Sequence, residues 1–70
     1  METMAQYVIR RAFEEKGYRR VVEDMGWDDG VVEWLRKLAL GLIKNPGADR
    51  IEALYRHYKL LESNRRRRAA

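Results

Sequence analysis

The residues best equipped for chemistry crowd into one stretch, VVEDMGWDDGVVEWL, residues 21–35. Asp28 and Asp29 form an adjacent carboxylate pair, with Glu23, Asp24 and Glu33 close by and Trp27 and Trp34 on either side. Two carboxylates can divide general-acid and general-base roles only where a pocket drives their pKa values apart. A short helical chain offers no evident cleft of that kind. Aromatic anchors rimmed by charge are, however, what binding hot spots tend to be made of. The stretch is therefore read as a partner-binding face made of Glu23, Asp24, Trp27, Asp28, Asp29, Glu33 and Trp34. It suits a basic target, such as the DNA-binding surface of a regulatory protein.

Other chemistries have little to draw on. His57 is the one histidine and stands beside Arg56 on the polar side of its helix, where a solvated role is expected and a zinc site cannot be built. There is no cysteine for a thiolate site or a disulfide, and the five glycines are scattered singly, so no phosphate-cradling loop is present. Neither metal, cofactor nor enzymatic activity is expected.

The net charge of +4 suggests nucleic acid until its position is considered. Arg65, Arg66, Arg67 and Arg68 account for all of it, because without them 11 basic residues face 11 acidic ones. Residues 1–64 carry no net charge, and any weak nucleic-acid affinity is expected to reside in this tail. The opening METMAQYVIRRAFEE places charges within the span that a signal peptide needs apolar, and the longest uninterrupted run of apolar residues and glycine is LALGLI. No standard secretion signal and no membrane span are expected, and a cytoplasmic location suits the lack of cysteine.

These residues must be positioned by helices. No run of β-branched residues with a period of two is long enough for a strand, and glycine and proline divide the chain into four helical segments. The expected class is all-α, a small bundle of three to four short helices over residues 1–63, with residues 64–70 a basic, frayed or disordered tail. The first helix is expected over residues 3–16, directing Met4, Tyr7, Val8, Ala12 and Phe13 inward, with Gly17 closing it. A second, over residues 18–25, directs Tyr18, Val21, Val22 and Met25 inward and stops at Gly26. The third is expected over residues 29–44, capped by Asp28 or Asp29, and the fourth starts at Asp49 with Glu52 completing a capping box. Ile51, Leu54, Tyr55, Tyr58 and Leu61 keep helical spacing on the fourth.

The third segment is apolar at Val31, Val32, Trp34, Leu35, Leu38, Ala39, Leu40, Leu42 and Ile43, more than one helix face can hold. A chain of 70 residues has a marginal core, and oligomerisation is a usual remedy. A homodimer is therefore expected, with Trp34, Leu38, Leu42, Ile43, Tyr55 and Tyr58 at its interface.

Residues 18–35 resemble the helix-turn-helix family, in particular small phage activators of the lambda CII type, through Val22, Gly26, Val32 and Leu35 at the family's turn spacing. The resemblance implies a DNA-binding transcriptional regulator. It departs from the family at the start of the second helix, where base-reading helices carry polar and basic residues and this chain has Asp28, Asp29 and Gly30. Carboxylates facing phosphates repel them, so the protein-binding reading is preferred to the DNA-binding one. In size and arginine-rich composition the chain also looks like small accessory proteins of temperate phages, including those that block a quorum-sensing activator. That likeness implies an inhibitor of a host regulatory protein.

Overall fold

The computed structural model describes the backbone of residues 1–69 and the side chains of residues 1–65. It is all-helical among those residues, with α1 (Met4–Glu15), α2 (Tyr18–Met25), α3 (Gly30–Ala39) and α4 (Ala48–Ala69). α1 packs on both α3 and α4, while α2 packs on α3. Val8, Ala12, Val22, Leu35, Leu38, Leu54 and Tyr58 are completely enclosed and form the centre of the core.

Thr3 starts α1 with a reciprocal cap. Its Oγ1 accepts from the Gln6 N–H at 3.1 Å, and the Gln6 Oε1 accepts from the Thr3 N–H at 2.9 Å. The buried stripe of α1 is Tyr7, Val8, Arg11 and Ala12. At 100° per residue Phe13 then falls on the opposite side, and it is 54% exposed rather than inward as the apolar pattern predicted. Lys16 closes α1 at φ +55°, ψ −143°, a conformation that costs a non-glycine residue about 1–3 kcal/mol. Gly17 follows in the left-handed region.

Gly26 ends α2 at φ +72°, and the Trp27 N–H reaches back to the Val22 carbonyl at 3.0 Å. Gly41 does the same for α3, at φ +74°, with the Leu42 N–H donating to the Lys37 carbonyl at 3.0 Å. A helix expected to reach residue 44 thus stops at Ala39. Its excess of apolar surface is redistributed: Leu40 and Leu42 stand in the following loop, 49% and 66% exposed, and Ile43 folds back half-buried against the core.

Two expected caps are not made. Asp29 at the N-cap of α3 has no side-chain cap bond. Asp49 lies inside the first turn of α4, and Glu52 pairs with Arg56 at 2.6 Å rather than closing a box. α4 also runs through Asn64 and Arg65, where a frayed tail was expected. The expected nucleic-acid contacts of Arg66, Arg67 and Arg68 lie outside the described side chains.

Arg11 joins α1 to α4. Its side chain is only 9% exposed, and its guanidinium lies 3.2 Å from Glu14, 2.9 Å from Glu15 and 3.3 Å from Glu62. Glu62 also accepts from the Tyr7 hydroxyl at 2.8 Å, and Arg65 grips both oxygens of Glu15 at 2.7 Å. The Arg65 hydrogen bonds hold the Glu15 carboxyl below its ordinary 4.5. In that range the unfolded chain binds more protons than the folded one. The stability contributed by Glu15 is therefore complete above pH 4.5 and is lost as the pH falls through the lower folded value.

Arg11→Ala should destabilise the fold by roughly 2–4 kcal/mol, since it removes the cation that three carboxylates share and opens space in the inward stripe of α1. Glu15→Gln should flatten the fall in stability below pH 4.5 seen in the parent chain. Urea titrations followed by circular dichroism across pH 3–7 measure both.

Candidate functional site

The turn between α2 and α3 forms an acidic corner. Glu23 and Asp24 occupy the last turn of α2, Asp28 and Asp29 precede α3, and Glu33 lies in its first turn. All five are exposed. Glu33 is paired with Arg36, whose hydrogen bond holds the Glu33 carboxyl below its ordinary value. Asp29 is 3.9 Å from Arg19, a long contact between two well-exposed groups. Glu23, Asp24 and Asp28 have no cation partner among the described residues.

The placement of these charges separates two kinds of role. Acids beside the start of α3 interact favourably with its dipole, whereas Glu23 and Asp24 sit at the negative end of α2 and cost roughly 0.3–1 kcal/mol each. No basic residue offsets them in that turn. Stability does not account for them.

Trp27 and Trp34 are half-buried and pack against the core. Arg50, from the first turns of α4, lays its guanidinium 4.8 Å from the Trp34 ring centre and 5.9 Å from that of Trp27. One cation thus bridges both indoles, and their remaining surface borders the carboxylates that follow Trp27. Sequence reasoning missed Arg50, because a polar position next to Ile51 on a helix does not reveal which aromatic ring it meets.

The residues expected at a dimer interface are not gathered on one face. Leu38 and Tyr58 are enclosed within the chain and lie on no outer face that a second copy could cover. Tyr55 meets Tyr7 edge to face at 5.2 Å between ring centres. Trp34 is covered by Arg50, and Ile43 is half-buried. Leu42 remains as the most exposed of the six.

Among the described residues, no group of three or more His, Cys, Asp or Glu side chains is arranged to hold a metal ion. No described helix is long and apolar enough to cross a membrane. No protein-family model, curated protein or solved structure matches this chain.

Because the aspartates make no side-chain cap, Asp28→Ala and Asp29→Ala should each shift stability by less than about 0.5 kcal/mol. Thr3→Ala, which removes a cap that is made, should cost about 1 kcal/mol. Thermal unfolding of the three variants side by side checks the contrast.

Proposed function

We propose that this chain is a non-enzymatic, cytoplasmic protein-binding module whose acidic, tryptophan-bearing corner takes a basic surface of a regulatory protein. The observation that carries the reading is the set of exposed carboxylates at Glu23, Asp24 and Asp28 that, among the described residues, neither pair with a cation nor cap a helix. Charges left uncommitted and placed against a helix dipole favour association with a positive partner, through steering and complementarity. Trp27 and Trp34 add apolar area beside them, with Asp29 and Glu33 completing the rim. The DNA-binding surface of a regulator has the required charge. Occupying it would inhibit that regulator, as the likeness to small phage accessory proteins implies.

The helix-turn-helix alternative draws support from spacing. Val22 and Leu35 are buried and Val32 half-buried, as the pattern requires. Any two helices joined by a glycine-centred turn produce the same burial. The exposed start of α3 presents Asp28 and Asp29, which oppose phosphate binding.

Glu23→Arg combined with Asp28→Arg decides between these readings by sign. The variant should keep its helicity and nearly its stability, because the gain from a cation at the end of α2 is offset by the loss from one at the start of α3. Recovery of a basic partner from extract of the native host should fall about tenfold or more, as the lost charge pairing predicts. A DNA reader would instead bind random duplex more tightly at low salt.

We further propose a homodimer that covers the apolar loop at Leu40 and Leu42. Sedimentation at micromolar concentration should give twice the chain mass of 8.4 kDa. Leu42→Glu should halve it without unfolding the chain, since Leu42 is 66% exposed. A parent chain that sediments as a monomer would exclude the dimer.

A further inference from the structure

A second charged feature lies away from the acidic corner. Between α2 and α4 runs a groove of about 270 Å³. Lys16, Arg20, His57 and Arg65 stand along it. Tyr58 lies in its wall, and the Tyr58 hydroxyl is buried without a hydrogen-bond partner among the described residues. His57 is set edge to face on the Tyr58 ring, with 5.2 Å between centres.

α2 begins at this groove. Its N-cap is Gly17, which itself lines the cavity and supplies no side-chain cap. Val21 is the first residue of the segment whose N–H meets a carbonyl of the turn below, that of Gly17 at 3.1 Å. The N–H groups ahead of it are the orphan donors that a helix N-terminus offers to an anion.

Two carboxylates also line the cavity. Glu15 is held between Arg65 and Arg11, at 2.7 Å and 2.9 Å, so its charge is already met by two cations. Asp24 lies one turn beyond Arg20 on α2 and opposes that guanidinium in part. Lys16 remains, together with a helix start and a buried hydroxyl. Lysine and arginine side chains and backbone N–H groups donate and cannot accept. Burial raises the Tyr58 pKa from 10 to about 12, so its hydroxyl also keeps its proton at neutral pH. What such a set lacks is an acceptor.

We propose that this groove binds a tetrahedral oxyanion of the phosphate class. The oxyanion would lie on the first N–H groups of α2, between Lys16 and Arg20, and take the Tyr58 hydroxyl as a further donor. The volume is just below the roughly 300–1,000 Å³ of sites for drug-sized ligands, which suits the head of a phosphomonoester. The strained backbone of Lys16 is consistent with a residue held for its side chain, where glycine would rest more easily. Asp24 is the one residue that lines this groove and also belongs to the acidic corner; it is left unchanged in the variants that test either site, so the two readings fail separately.

The test is a titration of the full chain at constant ionic strength with inorganic phosphate, phenyl phosphate, chloride and a short single-stranded DNA. Binding is followed through backbone amide resonances. Phosphate should give saturable shifts at Gly17, Tyr18, Arg19 and His57, and chloride should not. Lys16→Gly should weaken phosphate binding about tenfold, the loss expected for one charge-assisted hydrogen bond. It should leave the thermal midpoint unchanged or higher, because it relieves the positive φ. Arg20→Gln should weaken binding similarly, and Tyr58→Phe should weaken it without lowering the midpoint. Phenyl phosphate binding more tightly than the oligonucleotide would place the phosphate on a small molecule, and the reverse order would place it on a nucleic-acid backbone. Equal responses to chloride and phosphate would overturn the proposal. So would phosphate binding that survives both Lys16→Gly and Arg20→Gln.

Discussion

A guanidinium withdrawn from water organises one side of this molecule. Arg11 shares the inward stripe of α1 with Tyr7, Val8 and Ala12 and is 7% exposed overall. A charge placed there must be met by carboxylates, since an uncompensated buried ion is among the most destabilising features a fold can contain. Glu14 and Glu15 come from the next turn of the same helix, but Glu62 has to come from α4. An apolar side chain at position 11 could pack against α4 in neighbouring registers with little penalty. The ion pair with Glu62 at 3.3 Å limits those registers. The Tyr7 hydroxyl, donating to the same carboxylate, restricts the rotation of α4 as well.

The arrangement has consequences at both ends of the chain. Once Glu62 faces Arg11, the next turn of α4 brings Arg65 to Glu15, and helical structure continues past Ser63 where hydrophobic periodicity has ended. Core packing no longer extends that helix. Ion pairing does. The same pairing neutralises Glu15 at the edge of the α2–α4 groove, which leaves the neighbouring cations less opposed. The acidic corner has no such closure: Arg36 is spent on Glu33, and Arg19 reaches Asp29 only at 3.9 Å. A body without net charge is thus divided into a tightly paired side and an uncommitted one.

Much of the fold was legible because glycine and helical spacing leave few alternatives. The all-helical class, the break at Gly26, the start of α2 after Gly17 and the burial of Ile51, Leu54 and Tyr58 follow from those signals. The misreadings share a cause: local pattern does not report tertiary partners. Gly41 looked tolerable within a long apolar helix, yet its positive φ ends α3 and moves Leu40 and Leu42 into a loop. Phe13 looked inward because it is apolar, while the polar Arg11 took the place on the stripe that its position dictates. Thr3 and Gln6 carried a readable cap signature, whereas Asp49 and Glu52 carried the same kind of signature and made none. The candidate corner was legible in its residue types. Its bridging cation, Arg50, was not, because nothing near position 50 names the two indoles it covers.

Two local choices in this chain run against stability, and each borders a surface for which binding is proposed. Lys16 holds a backbone conformation that glycine adopts without strain, although a glycine already stands at the next position. Glu23 and Asp24 place negative charge on the wrong end of a short helix. Helix dipoles and φ preferences act on every residue alike. Gly17, Gly26, Gly41 and Gly47 take the other positive φ values, and the acids that end α1, Glu14 and Glu15, are met by Arg10, Arg11 and Arg65. Departures that no neighbouring group offsets are where a requirement other than folding is expected to act. Lys16 contributes a cation to a groove where Glu15 is already paired, and Glu23 and Asp24 contribute anions that pair with no cation among the described residues. The two departures have opposite sign, so a general pressure such as solubility, which would favour either charge anywhere on the surface, does not account for both.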